Sequence, residues 1–246
     1  MKKVLIAASV GVLTVLSSCD VLESAASTVS NSSSTGKIPL SNEEVVKGLK
    51  EALSVGITNS VNLTSVADGF LKNSEIRLPF PPDAIKVREK AIEWGLDGQV
   101  EKFETTLNRA AEEAAKEALP IFKNAITGMS LQDGFTVLNG GKGAATKFLK
   151  DQTTAKLITA FAPKVEAAIA NVKLTEYWNP IITKYNSAMT FTGGEKLNPD
   201  LNKYITEKAI SGLFYMVEQE ENKIRKDPMA RVSDLLQKVF GSITGK

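Results

Sequence analysis

The chain has 246 residues, with 30 lysines and arginines, 28 aspartates and glutamates, and no histidine. Without histidine it lacks the Ser-His-Asp triad, the Cys-His pair and histidine-ligated zinc, so an enzyme of this sequence would depend on carboxylates, lysines or hydroxyls. The near balance of charge also removes the basic footprint that nucleic-acid binding requires.

The first 18 residues predict an export signal. Two lysines precede an uncharged run from Val4 to Val15, which is too short for a membrane-spanning helix of about 20 residues. The run leads to Leu16-Ser17-Ser18-Cys19, which resembles the bacterial lipoprotein box and contains the one cysteine of the chain. We therefore expect cleavage before Cys19, covalent lipid on its sulfur and an anchor in a membrane of the cell envelope. The alternative is a free thiol in a cytosolic protein.

Residues 19–37 predict a flexible tether. The segment is rich in serine and threonine and has few large apolar side chains, so it cannot bury enough surface to offset the entropy cost of ordering. We expect it to hold a folded body, residues 38–246, roughly 20–25 Å from the bilayer. Asp20, directly after the cysteine, leaves open whether that bilayer is the inner or the outer membrane.

Residues 38–246 predict a single all-α domain, a bundle of several helices, because apolar residues recur at three- and four-residue spacing. Ser41 and Glu44 predict a capping box at the start of the first helix. A second helix is expected at 83–94, after an extended proline-rich run. The next helix carries an alanine-rich apolar stripe that predicts a central position in the bundle. The stripe consists of Phe103, Leu107, Ala110, Ala114, Ala118 and Phe122.

The second half of the chain predicts further helices. Short helices at 131–139 and 143–150 flank a glycine cluster, which lacks the Ser or Thr that follows the lysine of a phosphate-binding loop. A longer helix is expected at 154–172 with a break at its proline. The last two helices are predicted at 200–226 and 228–240, the second with a proline in its first turn.

Glu220 is the strongest candidate for chemistry. It is predicted on the apolar stripe of the helix at 200–226, where a carboxylate needs a partner that Arg231 or Arg109 could supply. In a structural interpretation this pair locks two helices, and in a functional one Glu220 acts as an acid or a base. Arg109 can also pair with Glu112 or Glu113 at helical spacing. The complete candidate cluster, for structure or for binding, is Asn108, Arg109, Glu112, Glu220, Glu221, Arg225, Arg231 and Asp234.

Several short motifs occur in a specific order along residues 41–241. They are Ile76-Arg77-Leu78-Pro79, Asn108-Arg109-Ala110-Ala111-Glu112, Asn139-Gly140-Gly141, Gly212-Leu213-Phe214, Glu220-Glu221, Asp227-Pro228 and the run from Asp234 to Gly241. This series resembles the domain of unknown function 4197 family. The resemblance implies an exported, mostly helical bacterial protein, often a lipoprotein, of uncharacterised function, and it assigns no catalytic residue.

The sequence favours a non-enzymatic envelope lipoprotein that binds a partner protein or an apolar molecule. One alternative is a carboxylate-based hydrolase of glycan or peptidoglycan that uses Glu112, Glu220 and Glu221. The other is a carrier of lipid or another apolar ligand, which needs an apolar cavity of about 300–1,000 Å³. We expect no metal site, no nucleic-acid partner and no cofactor other than the covalent lipid on Cys19.

Overall fold

The structure is a computed structural model that describes residues 40–171, 173–231 and 233–244. The predicted export signal, Cys19 and the tether lie outside these residues. Every regular element within the described ranges is helical, which confirms the all-α prediction. None of the helices in this part of the chain is both long and apolar enough to cross a membrane.

The helices are labelled in chain order. Across the described ranges they are α1 (Asn42–Thr64), α2 (Ile85–Glu93), α3 (Asp97–Ala115), α4 (Ala118–Thr127), α5 (Leu131–Asn139), α6 (Ala144–Asn171), α7 (Leu174–Thr192), α8 (Leu201–Lys226) and α9 (Asp234–Thr244). Short 3₁₀ turns, Pro82–Ala84 and Pro228–Ala230, precede α2 and α9. The predicted helix at 83–94 therefore begins as a tighter turn, whereas the helix predicted at 228–240 begins only at Asp234, after its 3₁₀ turn has ended at Ala230.

The predicted capping box at the start of α1 is confirmed. The Ser41 hydroxyl accepts from the backbone N–H of Glu44 at 3.2 Å, and the Glu44 carboxylate accepts from the backbone N–H of Ser41 at 2.8 Å. Each side chain thus satisfies a backbone donor that has no partner inside the helix. Ser130 and Asp133 form a second capping box at the start of α5.

Two helices continue through an interior proline, where the sequence favours a break. The two helices predicted at 143–150 and 154–172 form one 28-residue helix, α6, and the predicted break at Pro163 does not occur. An interior proline removes one backbone hydrogen bond, but Phe161 and Val165 beside it are fully buried, so packing holds the helix together. The same applies to α7, which the sequence analysis did not predict and which contains Pro180 next to the buried Ile181.

The predicted central helix is divided in two. The apolar stripe from Phe103 to Phe122 is buried throughout, but a turn at residues 116–117 separates α3 from α4. Pro120 explains the turn, because in a continuous helix its ring would clash with the carbonyl of Lys116. In the structure Pro120 lies in the first turn of α4, where a missing N–H has no helical partner to lose.

The core lies between α1, α3, α6 and α8. α3 packs against α6, α7 and α8, and its alanines at 110, 111, 114 and 115 are fully buried, which lets the helices approach closely. Glycines allow close approach on α1: a Cβ at Gly48 would lie 2.8 Å from the Val239 side chain of α9, and one at Gly134 of α5 would lie 2.7 Å from the Val46 side chain. Helices α5 and α9 therefore rest directly on α1.

Candidate functional site

Five of the eight predicted site residues form two groups on two different helices. One group lies on α3, where Glu104, which was not predicted, shares a face with Asn108 and Glu112 at four-residue spacing. Glu104 pairs with Arg77 of the irregular segment 65–81 at 3.1 Å, and Asn108 and Glu112 bind its backbone, so we call these three side chains the loop anchor. The other group is Glu221 and Arg225 on α8, which bind the ends of two other helices, and we call this pair the helix-end clamp.

Asn108 fixes the extended part of the anchored segment. Its side-chain oxygen accepts from the backbone N–H of Leu78 at 2.8 Å, and its amide nitrogen donates to the Leu78 carbonyl at 3.0 Å and to the Glu104 carbonyl at 2.9 Å. Asn108 is fully buried, so these bonds satisfy backbone groups that water does not reach. Leu78 is thus paired by a side chain in the way that a neighbouring strand would pair it.

Glu112 fixes the first part of the same segment. One carboxylate oxygen accepts from the backbone N–H groups of Phe70 at 3.1 Å and Leu71 at 3.2 Å, and the other pairs with Arg109 at 2.7 Å, as predicted. Its side chain is 4% exposed. A carboxylate at such depth is stable because it is both paired and hydrogen-bonded.

A chain of alternating charges continues from Glu112 to the surface. Arg109 reaches from Glu112 to Asp68 at 2.6 Å, and Asp68 also binds Lys72 at 2.6 Å. Lys72 first, and then Arg109, lower the pKa of Asp68, while Glu112 is the main cause that raises the pKa of Arg109. Asp68 has φ +70°, a left-handed conformation that Asp adopts more readily than most residues. The network therefore fixes an unusual turn at the start of the anchored segment.

Glu221 of the helix-end clamp binds the first turn of α6. Its carboxylate accepts from the backbone N–H groups of Ala145 at 3.1 Å and Thr146 at 2.9 Å, and from the Thr146 hydroxyl at 2.8 Å. The N-terminal N–H groups of a helix lack helical partners and carry partial positive charge. Glu221 supplies both the acceptors and the negative charge, from a position that is 7% exposed.

Arg225 makes the complementary contact with the end of α5. Its guanidinium donates to the carbonyls of Val137 at 2.8 Å and Leu138 at 3.3 Å, and to the Glu221 carboxylate at 2.9 Å. The C-terminal carbonyls of a helix carry partial negative charge, which a guanidinium complements. The clamp thus places an anion at the start of α6 and a cation at the end of α5, across the glycine cluster between them.

The prediction that Glu220 pairs with Arg231 or Arg109 is wrong. Glu220 accepts from the Asn59 side chain at 2.9 Å and lies 3.7 Å from the Lys223 ammonium group, so it pairs with neither Arg231 nor Arg109. One residue turns a helix by about 100°, which directs Glu220 towards Gly56 of α1 and Glu221 towards α6. The sequence analysis predicted the right kind of pair one position too early.

The remaining predicted residues lie at the C-terminal end of the body. Arg231 is buried and donates to the carbonyls of Ile224 at 3.3 Å and Arg225 at 3.2 Å, which are end carbonyls of α8. Its guanidinium also lies 5.9 Å from the ring centre of Phe240. Asp234 is exposed in the first turn of α9, where its negative charge interacts favourably with the positive end of the helix dipole.

Comparison with known proteins places the chain in a family. The model of the family described as a protein of unknown function, DUF4197, matches residues 39–241. The chain belongs to this family. The DUF4197 match spans both the loop anchor and the helix-end clamp. No curated protein and no solved structure matches the chain.

A small cavity lies beside the clamp of this DUF4197 protein. It has a volume of about 20 Å³ and is bounded by apolar side chains of α1, α6, α8 and α9 together with Glu221 and Arg225. That volume holds about one water molecule. It has no room for an acyl chain, which counts against a lipid carrier that uses this part of the core.

The contacts of Glu112 and Glu221 decide between a structural and an acid-base role, which the sequence left open. Glu112 and Glu221 are committed to backbone N–H groups and to an arginine on their own helix, so a proton transfer by either would break contacts that fix the fold. Within the described ranges, no group of three or more Cys, Asp or Glu side chains is placed to hold a metal ion. These DUF4197 carboxylates therefore support a structural role better than an acid-base role.

The structure also contains an open groove that the sequence did not predict. It lies between α2 and the C-terminal half of α7 and has a volume of about 810 Å³. Its third wall is the extended chain before α8, which Asn186 holds by two backbone bonds to Leu197, at 2.8 and 2.9 Å. Because α7 itself was not predicted, no sequence signal brought these residues together.

Proposed function

We propose that this protein is a lipid-anchored protein of the bacterial cell envelope whose helical body acts by binding, without catalysis. The observation that carries the proposal is the run Leu16-Ser17-Ser18-Cys19 at the end of a basic and then apolar segment. Lipid on Cys19 would hold the protein at a membrane, and the serine-rich tether would leave the body, from Leu40 onward, in water.

The geometry of the body supports a binding role. The two most deeply buried glutamates of the candidate cluster, Glu112 and Glu221, are used to fix the backbone, and Glu220 is engaged by Asn59 and Lys223. All three glutamates that a glycan hydrolase was expected to use are therefore occupied. An open groove between α2 and α7 suits the recognition of a partner or ligand.

Mass spectrometry tests the anchor. The protein is extracted from membranes of a bacterial host, and its N-terminal peptide is analysed before and after release of ester-linked acyl chains. The proposal expects a mature chain that begins at Cys19 and carries acyl chains on the sulfur-linked glycerol. An unmodified Cys19 in a full-length chain would contradict it.

Fractionation provides the matched genetic test. Cys19→Ser removes the acceptor sulfur and leaves the signal, the tether and the body unchanged. We expect the wild type in the membrane fraction and the variant outside it, because at about 0.8 kcal/mol per buried methylene the acyl chains dominate membrane affinity. Equal membrane association of the two proteins would refute the anchor, and separation of inner from outer membranes would identify the membrane.

A further inference from the structure

The groove between α2 and α7 has the dimensions of a site for a small organic ligand. Its volume of about 810 Å³ lies within the range of roughly 300–1,000 Å³ that such sites have in proteins. Apolar side chains form part of its lining, with Ile85 on α2, Met189 on α7 and Leu197 on the extended chain.

The walls of the groove are held in place. Asn186 binds both backbone groups of Leu197, as Asn108 does for Leu78 in the loop anchor. Gly193 adopts φ +70° at the end of α7, and the N–H of Gly194 donates to the Met189 carbonyl at 3.0 Å. The extended chain is thus attached to α7 at both ends of the groove wall, so the groove exists before any ligand arrives.

Tyr185 provides a polar group with no partner of its own. The residue is 6% exposed and lines the groove. No hydrogen bond joins its hydroxyl to any of the described residues, whereas Tyr204 and Tyr215 both have a hydrogen-bonded hydroxyl. The residue as a whole is nearly buried, but its hydroxyl oxygen is open to solvent. This hydroxyl is therefore available to a ligand in the groove.

The charge of the groove favours a cation. Asp83, Glu89 and Glu195 line it, and none of them has an ion-pair partner within the described ranges. Lys90 also lines it, but its ammonium group is bound by Glu93 at 2.6 Å. The lining thus carries three carboxylates against two ammonium groups, those of Lys86 and Lys90, and Glu93 adds a fourth carboxylate beside Lys90. A positive ligand would gain from that excess.

We propose that this groove binds an organic cation that carries ammonium groups on an apolar stem. The ammonium groups donate to the carboxylates and to the Tyr185 hydroxyl, and the stem packs on Met189, Leu197 and Ile85. The inference rests on the binding role proposed above, but it does not depend on the lipid anchor. Ligand titration tests the cation site, and the mass of the N-terminal peptide tests the lipid anchor.

A pair of matched probes tests the charge. The full-length protein, purified in a neutral detergent whether or not it carries lipid, is titrated calorimetrically with 1,8-diaminooctane and with 1,8-octanediol, which has the same stem without charge. The neutral detergent gives the diamine no anionic lipid to bind. We expect the diamine to bind at least about ten-fold more tightly than the diol, and its affinity to fall as salt is raised. Equal binding of the two probes, or no binding of the diamine, would overturn the proposal.

Conservative variants place the binding in the groove. Tyr185→Phe removes only the hydroxyl and should weaken diamine binding about five-fold. Glu89→Gln and Glu195→Gln remove one charge each and should weaken it by a smaller factor. The controls are Tyr177→Phe, on the same helix, and Glu166→Gln, an exposed glutamate on α6, and both lie outside the groove. Loss of affinity in the controls, or unchanged affinity in all three groove variants, would contradict the proposed site.

Discussion

The loop anchor and the helix-end clamp use the same chemistry for different tasks. In each, a nearly buried carboxylate accepts two backbone N–H groups and pairs with an arginine on its own helix, Arg109 for Glu112 and Arg225 for Glu221. The anchor fixes a segment that forms no helix, and the clamp fixes the ends of two helices. The comparison teaches that a buried ion pair in a helical protein can serve backbone groups that secondary structure leaves without partners.

The two sites differ in the surroundings of the arginine. The Arg109 side chain is 31% exposed and has a second carboxylate, Asp68, whereas the Arg225 side chain is 16% exposed and has two backbone carbonyls as its other acceptors. Loss of the carboxylate should therefore be more costly in the clamp, because Arg225 would keep its charge in a drier place without an anion.

The largest effect is expected for Glu221→Ala. It leaves Ala145 and Thr146 without acceptors and Arg225 without its counter-charge, and we expect a loss of about 3–5 kcal/mol in the free energy of unfolding, measured with urea. The double variant with Arg225→Met should lose less than the two single losses combined. The adjacent Glu220→Ala is the control, and its loss should stay below about 1 kcal/mol because Lys223 is an exposed partner. Similar losses for Glu220 and Glu221 would contradict the assignment of the clamp.

A smaller loss is expected for Glu112→Ala. The N–H groups of Phe70 and Leu71 lose their acceptor, but Arg109 keeps Asp68, so we expect about 2–4 kcal/mol by urea unfolding. Glu113→Ala is the matched control, because the neighbouring side chain is half exposed and pairs with a lysine. If the control lost as much as Glu112→Ala, the loop anchor would not be the cause.

Gly212→Ala tests the packing of the anchored segment on α8. The added Cβ would lie 2.7 Å from the ring of Phe70 and 3.2 Å from the Cβ of Ile76, so we expect a loss of about 1–3 kcal/mol from overpacking. Gly98→Ala on α3 has no atom within 4 Å of the added Cβ and should stabilise the helix by up to about 1 kcal/mol. Thermal unfolding of both variants should give shifts of opposite sign. Shifts of the same sign would contradict this packing.

The smallest effect concerns acid. Lys72 and Arg109 lower the pKa of Asp68 from its ordinary value of 3.8, so the stabilising contribution of Asp68 is complete above that value and is lost as the pH falls through the lowered pKa. Asp68→Asn keeps a residue that tolerates the left-handed conformation and removes the charge. The difference in urea midpoint between wild type and variant should therefore shrink below about pH 4. A difference that is constant across the acid range would show that Asp68 acts without its charge.

The sequence was sufficient for most of the helices, because their apolar spacing and capping residues act locally. Ser41 with Glu44 marks the start of α1 without reference to the rest of the chain. The errors arose where burial decides the outcome: Pro163 and Pro180 lie inside helices because packing outweighs one lost hydrogen bond, and the Glu220 prediction failed because one position decides which helix a side chain meets. No local signal could show that Glu221 would contact the start of α6, because Thr146 lies 75 residues before it in the chain.

Hydrogen exchange at four backbone amides tests the central claim. The claim is that Glu112 and Glu221 independently stabilise two parts of the backbone by accepting hydrogen bonds from its N–H groups. Exchange at Phe70, Leu71, Ala145 and Thr146 is measured by NMR in Glu112→Gln and Glu221→Gln, which keep the shape of the side chain. The account predicts faster exchange at Phe70 and Leu71 in the first variant alone, and at Ala145 and Thr146 in the second alone. Faster exchange at all four amides in either variant, or unchanged exchange in both, would contradict it.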